Sequence, residues 1–455
     1  MNSTGDVDTL PQIRAVGPLM PRTCLTCCLL VLVSAHVLAE ESAPVLTLAA
    51  ALVEAERTNE TPAIAAARLV QAHGAMREAW ALVLPTISAS AHYTPDSQRA
   101  GSYTQAAATL ELSLIDPTNL PRLRAASKFK EAQELDASEL RRALAFQVAD
   151  AYLLVLAGER VASAAERRLA VAEQAEGDSR KRAAAGLVER STVTRTELES
   201  ATARLEKTRA DQAALKARFA LANLLGTPAE QLRERAGALR LADPALPQPP
   251  MAGFASLLRE AVGRRGDLHA LDARAEGDLR QAGEPLAASL PRLGFEAQAS
   301  RQQVTVPVSQ QIDDWRLSLV ATWTLYDGGA RYGRRERLLA FADESRLRAE
   351  AARRGVGLEL ADAQSELDAA RAAIIQAEVR VRVARQNADE IGARFAQGLS
   401  TVLEQADATV SAYEADVELA RSRFSLQQAQ LTLGRILGRW PTSDGGPLTA
   451  RKDQP

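Results

Sequence analysis

The chain repeats itself, and that constrains its fold more than any single motif does. Val148-Ala149-Asp150-Ala151-Tyr152 returns 212 residues later as Leu360-Ala361-Asp362-Ala363-Gln364. Gly186-Leu187 returns as Gly398-Leu399, and Leu224-Leu225-Gly226 as Ile436-Leu437-Gly438, with 40 residues between first and closing glycine in both copies. Upstream the offset is 206: Leu52-Val53-Glu54-Ala55 matches Leu258-Arg259-Glu260-Ala261, and Leu84-Pro85 matches Leu290-Pro291. A step in the offset inside a kept register is the trace of one loop of different length. The pattern divides the chain into an N-terminal segment (residues 1–39), two structural repeats (40–240 and 241–440) and a flexible polar tail (441–455).

Within each repeat the periodicity changes twice. Proline is absent from Arg122 to Thr227 and from Val308 to Trp440, which permits very long helices. In the second stretch Leu360, Ala363, Leu367, Ala370, Ile374, Ala377, Val381, Ala384, Ala388, Ile391 and Phe395 follow a 3-4 spacing, with large residues and alanine alternating through Ala384. Val148, Ala151, Val155, Gly158, Ala162, Ala165, Leu169 and Ala172 form the equivalent seam. Small residues at every second position let helices approach closely, and a helix from about Ala330 to Ala396 is on the order of 100 Å long. Taken alone, such a seam reads more readily as a cytoskeletal or scaffolding coiled coil.

Four segments, about 86–93, 104–115, 292–300 and 313–325, switch to period two. Ile87, Ala89, Ala91 and Tyr93 alternate with Thr86, Ser88, Ser90 and His92; Trp315, Leu317, Leu319, Ala321 and Trp323 alternate with Arg316, Ser318, Val320 and Thr322. Strands of about 10 residues, apolar on one face and polar on the other, are what an outer-membrane barrel requires. Tyr93, Tyr103, Trp315, Trp323 and Tyr326 fall near the strand ends, where an interfacial girdle belongs. The alternative is a soluble sheet packed against helices. Four strands cannot close a barrel in lipid, because open edges leave backbone groups unpaired. Several chains must then pool their strands, and three would supply twelve.

The N-terminus and composition narrow the function. Arg22, the apolar run Leu25–Leu38 and Val37-Leu38-Ala39 describe a secretory signal peptide cut after Ala39. Cys24, Cys27 and Cys28 all lie inside it, which leaves the mature chain without disulfides, thiolate chemistry or a lipid-acceptor cysteine. Met20 is a second candidate initiator. A net charge of −2 gives no electrostatic case for nucleic acid. His73, His92 and His269 are scattered, and no metal spacing, nucleophile elbow or phosphate loop is visible, so neither enzyme chemistry nor a cofactor is expected.

Taken together, the chain resembles the TolC-type outer-membrane efflux proteins over about Leu46–Gly438. The markers are Leu84-Pro85 and Leu290-Pro291, the turn Trp323-Thr324-Leu325-Tyr326-Asp327-Gly328-Gly329, and the tips Ala185-Gly186-Leu187-Val188 and Gly398-Leu399-Ser400-Thr401. The resemblance implies a mainly α fold with β: a duplicated long-helix coiled-coil barrel plus four transmembrane strands per chain. It implies a homotrimer with a twelve-stranded β-barrel in the outer membrane and an α-barrel crossing the periplasm. The function it implies is a passive exit duct served by a periplasmic adaptor and an inner-membrane ABC or proton-driven pump. Gly186, Leu187, Gly398, Leu399 and Ser400 are then the tip turns that meet the adaptor. Glu404 and Asp407 correspond to a pore-facing acidic pair at the constriction, where crowded carboxylates raise one another's proton affinity. Phe395, Ser191 and Thr192 are the gating neighbours; Ser400 and Phe395 stand where the family usually has a basic residue and a tyrosine, and Ser191 and Thr192 lack its carboxylate. The missing lipid anchor tilts the expected cargo toward type I secretion of a protein such as a toxin. Drug or small-molecule efflux is the alternative, and a periplasmic coiled-coil adaptor or scaffold is the rival from a different class.

Overall fold

The computed structural model describes residues 45–96, 101–250, 252–305 and 309–442. The expected signal peptide, with Cys24, Cys27 and Cys28, and all but the first two residues of the polar tail lie outside the described residues.

Each half begins with short helices that end at a Leu-Pro step. In the first these are α1 (Leu48–Thr58) and α2 (Glu60–Ala81); in the second, α6 (Phe254–Arg264), α7 (Gly266–Gln281) and α8 (Glu284–Ala287). A strand hairpin follows, β1 (Thr86–Asp96) with β2 (Gly101–Ile115), and β3 (Arg292–Thr305) with β4 (Ser309–Thr322). The chain then enters a very long helix, α3 (Asn119–Ala184) or α9 (Ala330–Ala396), and returns along α4 (Arg190–Leu224) or α10 (Val402–Ile436). A short helix, α5 (Leu232–Ala238), and an extended proline-rich linker join the halves. The 66 residues of α3 and 67 of α9 make each about 100 Å long. Pro121 interrupts neither count, because at the third position of α3 its missing N–H is one that a helix start leaves unpaired anyway.

The seams are where the helices pair. Leu360, Ala363, Leu367, Ala370, Ala377 and Val381 are buried between α9, α10 and the short helices, and Val148, Ala151, Val155 and Ala165 are their counterparts on α3. At Gly158 the approach to α4 is so close that an added Cβ would stand 3.1 Å from the Ala214 Cα. Polar side chains join the two hairpins to each other. Arg142 of α3 donates to the Arg435 carbonyl near the end of α10 at 2.8 Å. Asp416 of α10, its side chain 10% exposed, accepts from Arg167 of α3 at 2.8 Å and from Arg385 of α9 at 2.6 Å. Arg168 lies over the Tyr413 ring at 5.3 Å. Near the start of the chain, the Tyr152 hydroxyl lies 2.8 Å from the Leu46 carbonyl and 2.6 Å from that of Ala242, beside the bridge between Leu46 and Leu241. Burial pushes this phenol up to about 12.

The four strands form one antiparallel sheet in the order β1-β2-β3-β4, so the two hairpins meet at β2 and β3. Residues opposite one another share a face, and the register sorts the faces cleanly. Ile87, Leu110, Ala297 and Leu317 lie in one row, and Ala89, Ala108, Ala299 and Trp315 in the next. On the other face Thr86, Glu111, Glu296 and Ser318 form a row, followed by Ser88, Thr109, Gln298 and Arg316.

The structure corrects the strands in four places. β1, β2 and β3 run further toward the hairpin loops than expected, and β4 starts earlier, because polar residues such as Gln303 and Gln311 continue the ladder. β4 stops at Thr322 and not at 325: the Trp323 indole donates to the Ser289 carbonyl at 2.9 Å, and the chain turns into α9. A bulge between Ser113 and Ile115 shifts the phase of β2, so Ile115, not Leu114, stands opposite Leu293. Tyr103 belongs to the polar face with Thr94, which removes it from the apolar girdle.

The faces should differ in what they tolerate. Leu319 is 66% exposed on the apolar face, and Ser318 is its neighbour on the polar face at the same depth. Leu319→Arg should impair folding into outer membrane or bilayer by roughly 2–4 kcal/mol, whereas Ser318→Arg should be far milder. The yield of heat-modifiable, membrane-inserted protein for each variant measures this. Equal tolerance would count against a lipid-facing sheet.

Candidate functional site at the helical tips

The two helix reversals are built alike. After α3, Gly186 takes a φ of 71°, and after α9, Gly398 takes 76°. Only glycine adopts this left-handed conformation without a steric penalty. It lets the Leu187 N–H reach the Arg182 carbonyl at 2.9 Å and the Leu399 N–H reach that of Arg394 at 2.8 Å. These bonds occupy carbonyls that a helix end otherwise leaves unpaired. The turns lift Leu187 and Leu399 into solvent, 74% and 72% exposed.

The second turn carries a device the first lacks. Thr401 is the N-cap of α10: its hydroxyl accepts from the Glu404 N–H at 3.2 Å. The Glu404 carboxylate in turn accepts from the Thr401 N–H at 2.7 Å and lies 3.1 Å from its hydroxyl. This reciprocal capping box satisfies donors at the helix start. The backbone bond from Thr401, then the hydroxyl contact, hold the Glu404 carboxyl below the usual glutamate range. Within a single chain these bonds oppose the rise in proton affinity expected from crowding. Glu404 and Asp407 are both exposed, and Asp407 has no ion-pair or hydrogen-bond partner among the described residues. Ser400 ties the turn back to α9 by donating to the Ile391 carbonyl at 3.2 Å.

Phe395, Ser400, Ser191 and Thr192 come together as lining of one open groove between the tips, together with Leu187 and Gly398. Glu404 and Asp407 stand outside it. Ser191 does not bond across the groove; its hydroxyl donates to Glu189 of its own turn at 3.1 Å. The link across is made by Arg182, near the end of α3. Its guanidinium donates to the Ala396 carbonyl at 2.7 Å and lies 5.2 Å from the centre of the buried Phe395 ring. Sequence reasoning missed Arg182, because a basic residue in the last turn of a helix reads as a partner for the helix dipole. Its contact with Phe395 is 213 positions away and has no local signature. Asp416 was missed for the same reason. Among the described residues no cluster could hold a metal ion, and no helix is long and apolar enough to cross a membrane.

Comparisons with known proteins agree with this geometry. Similar solved structures include the VceC outer membrane protein of Vibrio cholerae, at 22% identity and a TM-score of 0.71, covering 86% of this chain and 96% of that one. The CmeC outer membrane channel of Campylobacter jejuni is similar at 14% identity and 0.74, covering 86% and 85%. The open-state MtrE outer membrane channel of Neisseria gonorrhoeae is similar at 18% and 0.71, covering 86% and 88%. At such identities the likeness establishes the fold. No curated protein sequence matches the chain. The family model for outer membrane efflux protein matches residues 51–227 and 257–439, most of the chain and both halves of the duplication, and the chain therefore belongs to the outer membrane efflux protein family.

Proposed function

We propose that this chain is one protomer of a homotrimeric outer-membrane duct through which an inner-membrane pump and a periplasmic adaptor export their cargo. The observation that carries the reading is the sheet. Its four strands share one apolar face, and its outer strands β1 and β4 each have an edge without a partner among the described residues. In lipid an unpaired backbone group costs several kcal/mol, so the edges must be closed by further copies. Three copies give twelve strands, an even number as single-chain bacterial outer-membrane barrels have. The long hairpins extend the duct away from the membrane, and the exposed Leu187 and Leu399 offer the adaptor an apolar contact. The role is passive conduction, with no catalytic step.

Threefold symmetry stacks Glu404 and Asp407 as two rings of carboxylates at the periplasmic tip, and such rings favour cations. Asp407→Asn removes one ring without touching the cap. Glu404→Gln removes the other charge but keeps an acceptor for Thr401. In planar bilayers the double variant should lose cation preference and block by multivalent cations applied from the tip side. Wild-type selectivity in that variant would reduce the pair to a solvated helix face.

Arg182 is the intrachain latch of the tip in this reading. A charge-assisted hydrogen bond contributes about 1.5–3 kcal/mol and a cation–π contact about 0.5–1. Arg182→Ala should therefore raise single-channel conductance or open probability several-fold while leaving assembly intact. Unchanged gating would remove the latch.

For cargo, the first reading is a secreted polypeptide. Small-molecule efflux is the second, and the family's description, outer membrane efflux protein, is compatible with either. Deleting the protein separates them. If a protein disappears from the medium and accumulates in the cell, the first holds. If the secreted proteins are unchanged and susceptibility to toxic small compounds rises, the second replaces it.

A further inference from the structure

The foot of the sheet, where strands give way to helices, carries more positive charge than its own carboxylates engage. Arg77 lies one turn from the end of α2, Arg124 in the second turn of α3, Arg292 at the start of β3, and Arg334, Arg335 and Arg337 in the first turns of α9. At 1.5 Å per residue none of the helical five is more than about 12 Å along its helix from the junction. Five are exposed and Arg335 is half-buried. Nearby arginines are engaged: Arg122 pairs with Glu284 at 2.5 Å and Arg331 with Asp327 at 3.2 Å. These six have no ion-pair or hydrogen-bond partner among the described residues. Of the carboxylates near the foot, Glu78, Glu336, Glu111 and Glu296 are similarly unengaged among the described residues, the last two on the polar sheet face that Arg292 shares, whereas Asp116 accepts from Thr118.

The opposite end of the sheet is arranged otherwise. Arg301 is held by Asp313 through two bonds of 2.7 and 3.0 Å and is neutralised within the chain. At the foot the five helical guanidinium groups have only Glu78 and Glu336 as unengaged carboxylates beside them on the helices.

The foot is also where the apolar face ends in aromatic residues. Trp80, Trp323 and Tyr326 are exposed there, with Leu84 and Leu325 beside them. Exposed aromatic rings adjoining unpaired cations are the composition of a membrane–water interface. We infer that this collar docks anionic phospholipid: the arginines take the phosphodiester and the headgroup charge, while the acyl chains run up the apolar face from the aromatic residues. Free phosphate would satisfy the first element and leave the second unused, so the occupant is the lipid. The inference rests on the membrane reading of the sheet and adds to it a lipid preference confined to one leaflet.

Reconstitution of the full-length protein tests it, with phosphatidylglycerol and phosphatidylcholine as the competing lipids and native mass spectrometry of retained lipid as the readout. The wild type should retain phosphatidylglycerol about tenfold over phosphatidylcholine, since each arginine near a surface adds a severalfold attraction to anionic lipid. R334Q/R335Q/R337Q should bring the ratio close to one. R334K/R335K/R337K should restore most of it, and R301Q, toward the far end, should leave it unchanged. Normal insertion without lipid preference in the wild type overturns the inference and spares the membrane reading. If the glutamine variant weakens the assembly equally in both lipids with the ratio kept, the arginines pair with a neighbouring copy, and the inference fails. If the protein enters neither lipid, the membrane reading falls first.

Discussion

An antiparallel sheet can be finished within one chain only if its edges are covered, and here they are not. β1 and β4 each present a row of N–H and C=O groups with no partner among the described residues, beside a face of leucine, alanine and tryptophan. In water such an edge invites aggregation. In hydrocarbon it must be paired, since nothing else there can hydrogen-bond. Other features follow from that demand. The strands must be long enough to cross a membrane, and each hairpin must deliver its chain to the same side. The helices that follow must then leave on the same side, and α3 and α9 start at Asn119 and Ala330, just after β2 and β4. Duplication supplies this economically, because one hairpin followed by one long helix meets the demand once and its copy meets it again.

The helical part uses apolar and polar contacts together. Within each hairpin, alanine seams and the approach of Gly158 to Ala214 combine with ion pairs such as Arg218–Glu159 and Arg385–Asp416. Between hairpins the apolar cluster around α3 takes in Leu431 of α10, and Arg142 to the end of α10, Arg167 to Asp416 and Arg182 to Ala396 add polar links. Apolar packing loses its full value as soon as surfaces separate. A hydrogen bond or ion pair exchanges for water at a net cost of only about 0.5–3 kcal/mol. At the tip the link between hairpins is the Arg182 bond to Ala396, which can exchange for water while each hairpin stays folded. A tip that opens needs such a link.

Much of this was legible in the sequence where the signal is periodic. The α9 boundaries, the apolar strand face and the two tip turns all follow from spacing, because a helix repeats every 3.6 residues and a strand every two. The misses have a common cause as well. β4 ends early because the Trp323 indole finds the Ser289 carbonyl, 34 residues away, and β2 changes phase at a bulge that alternation alone does not show. Arg182 and Asp416 act through partners in another hairpin, so nothing within a local window marks them. Ser191 and Thr192 were placed in the right groove, but Ser191 bonds within its own turn; proximity transferred from a resemblance and bonding did not.

Glu404 shows how one residue can bind two properties together. As the third residue of α10 it completes the cap that fixes where the helix begins. In the proposed trimer its charge also belongs to the constriction. Because its folded pKa is lowered, the carboxylate's contribution to the cap is fully present above the ordinary glutamate pKa. It is lost as pH falls through the depressed value. Negative charge and a firm start to α10 therefore vanish in the same acidic window, and both persist above it. Asp407 carries charge without a structural bond among the described residues, so removing it changes the field at the tip and leaves the helix alone. In the proposed trimer the acidic pair is thus unequal: Glu404 ties its charge to the shape of the tip, and Asp407 supplies charge alone.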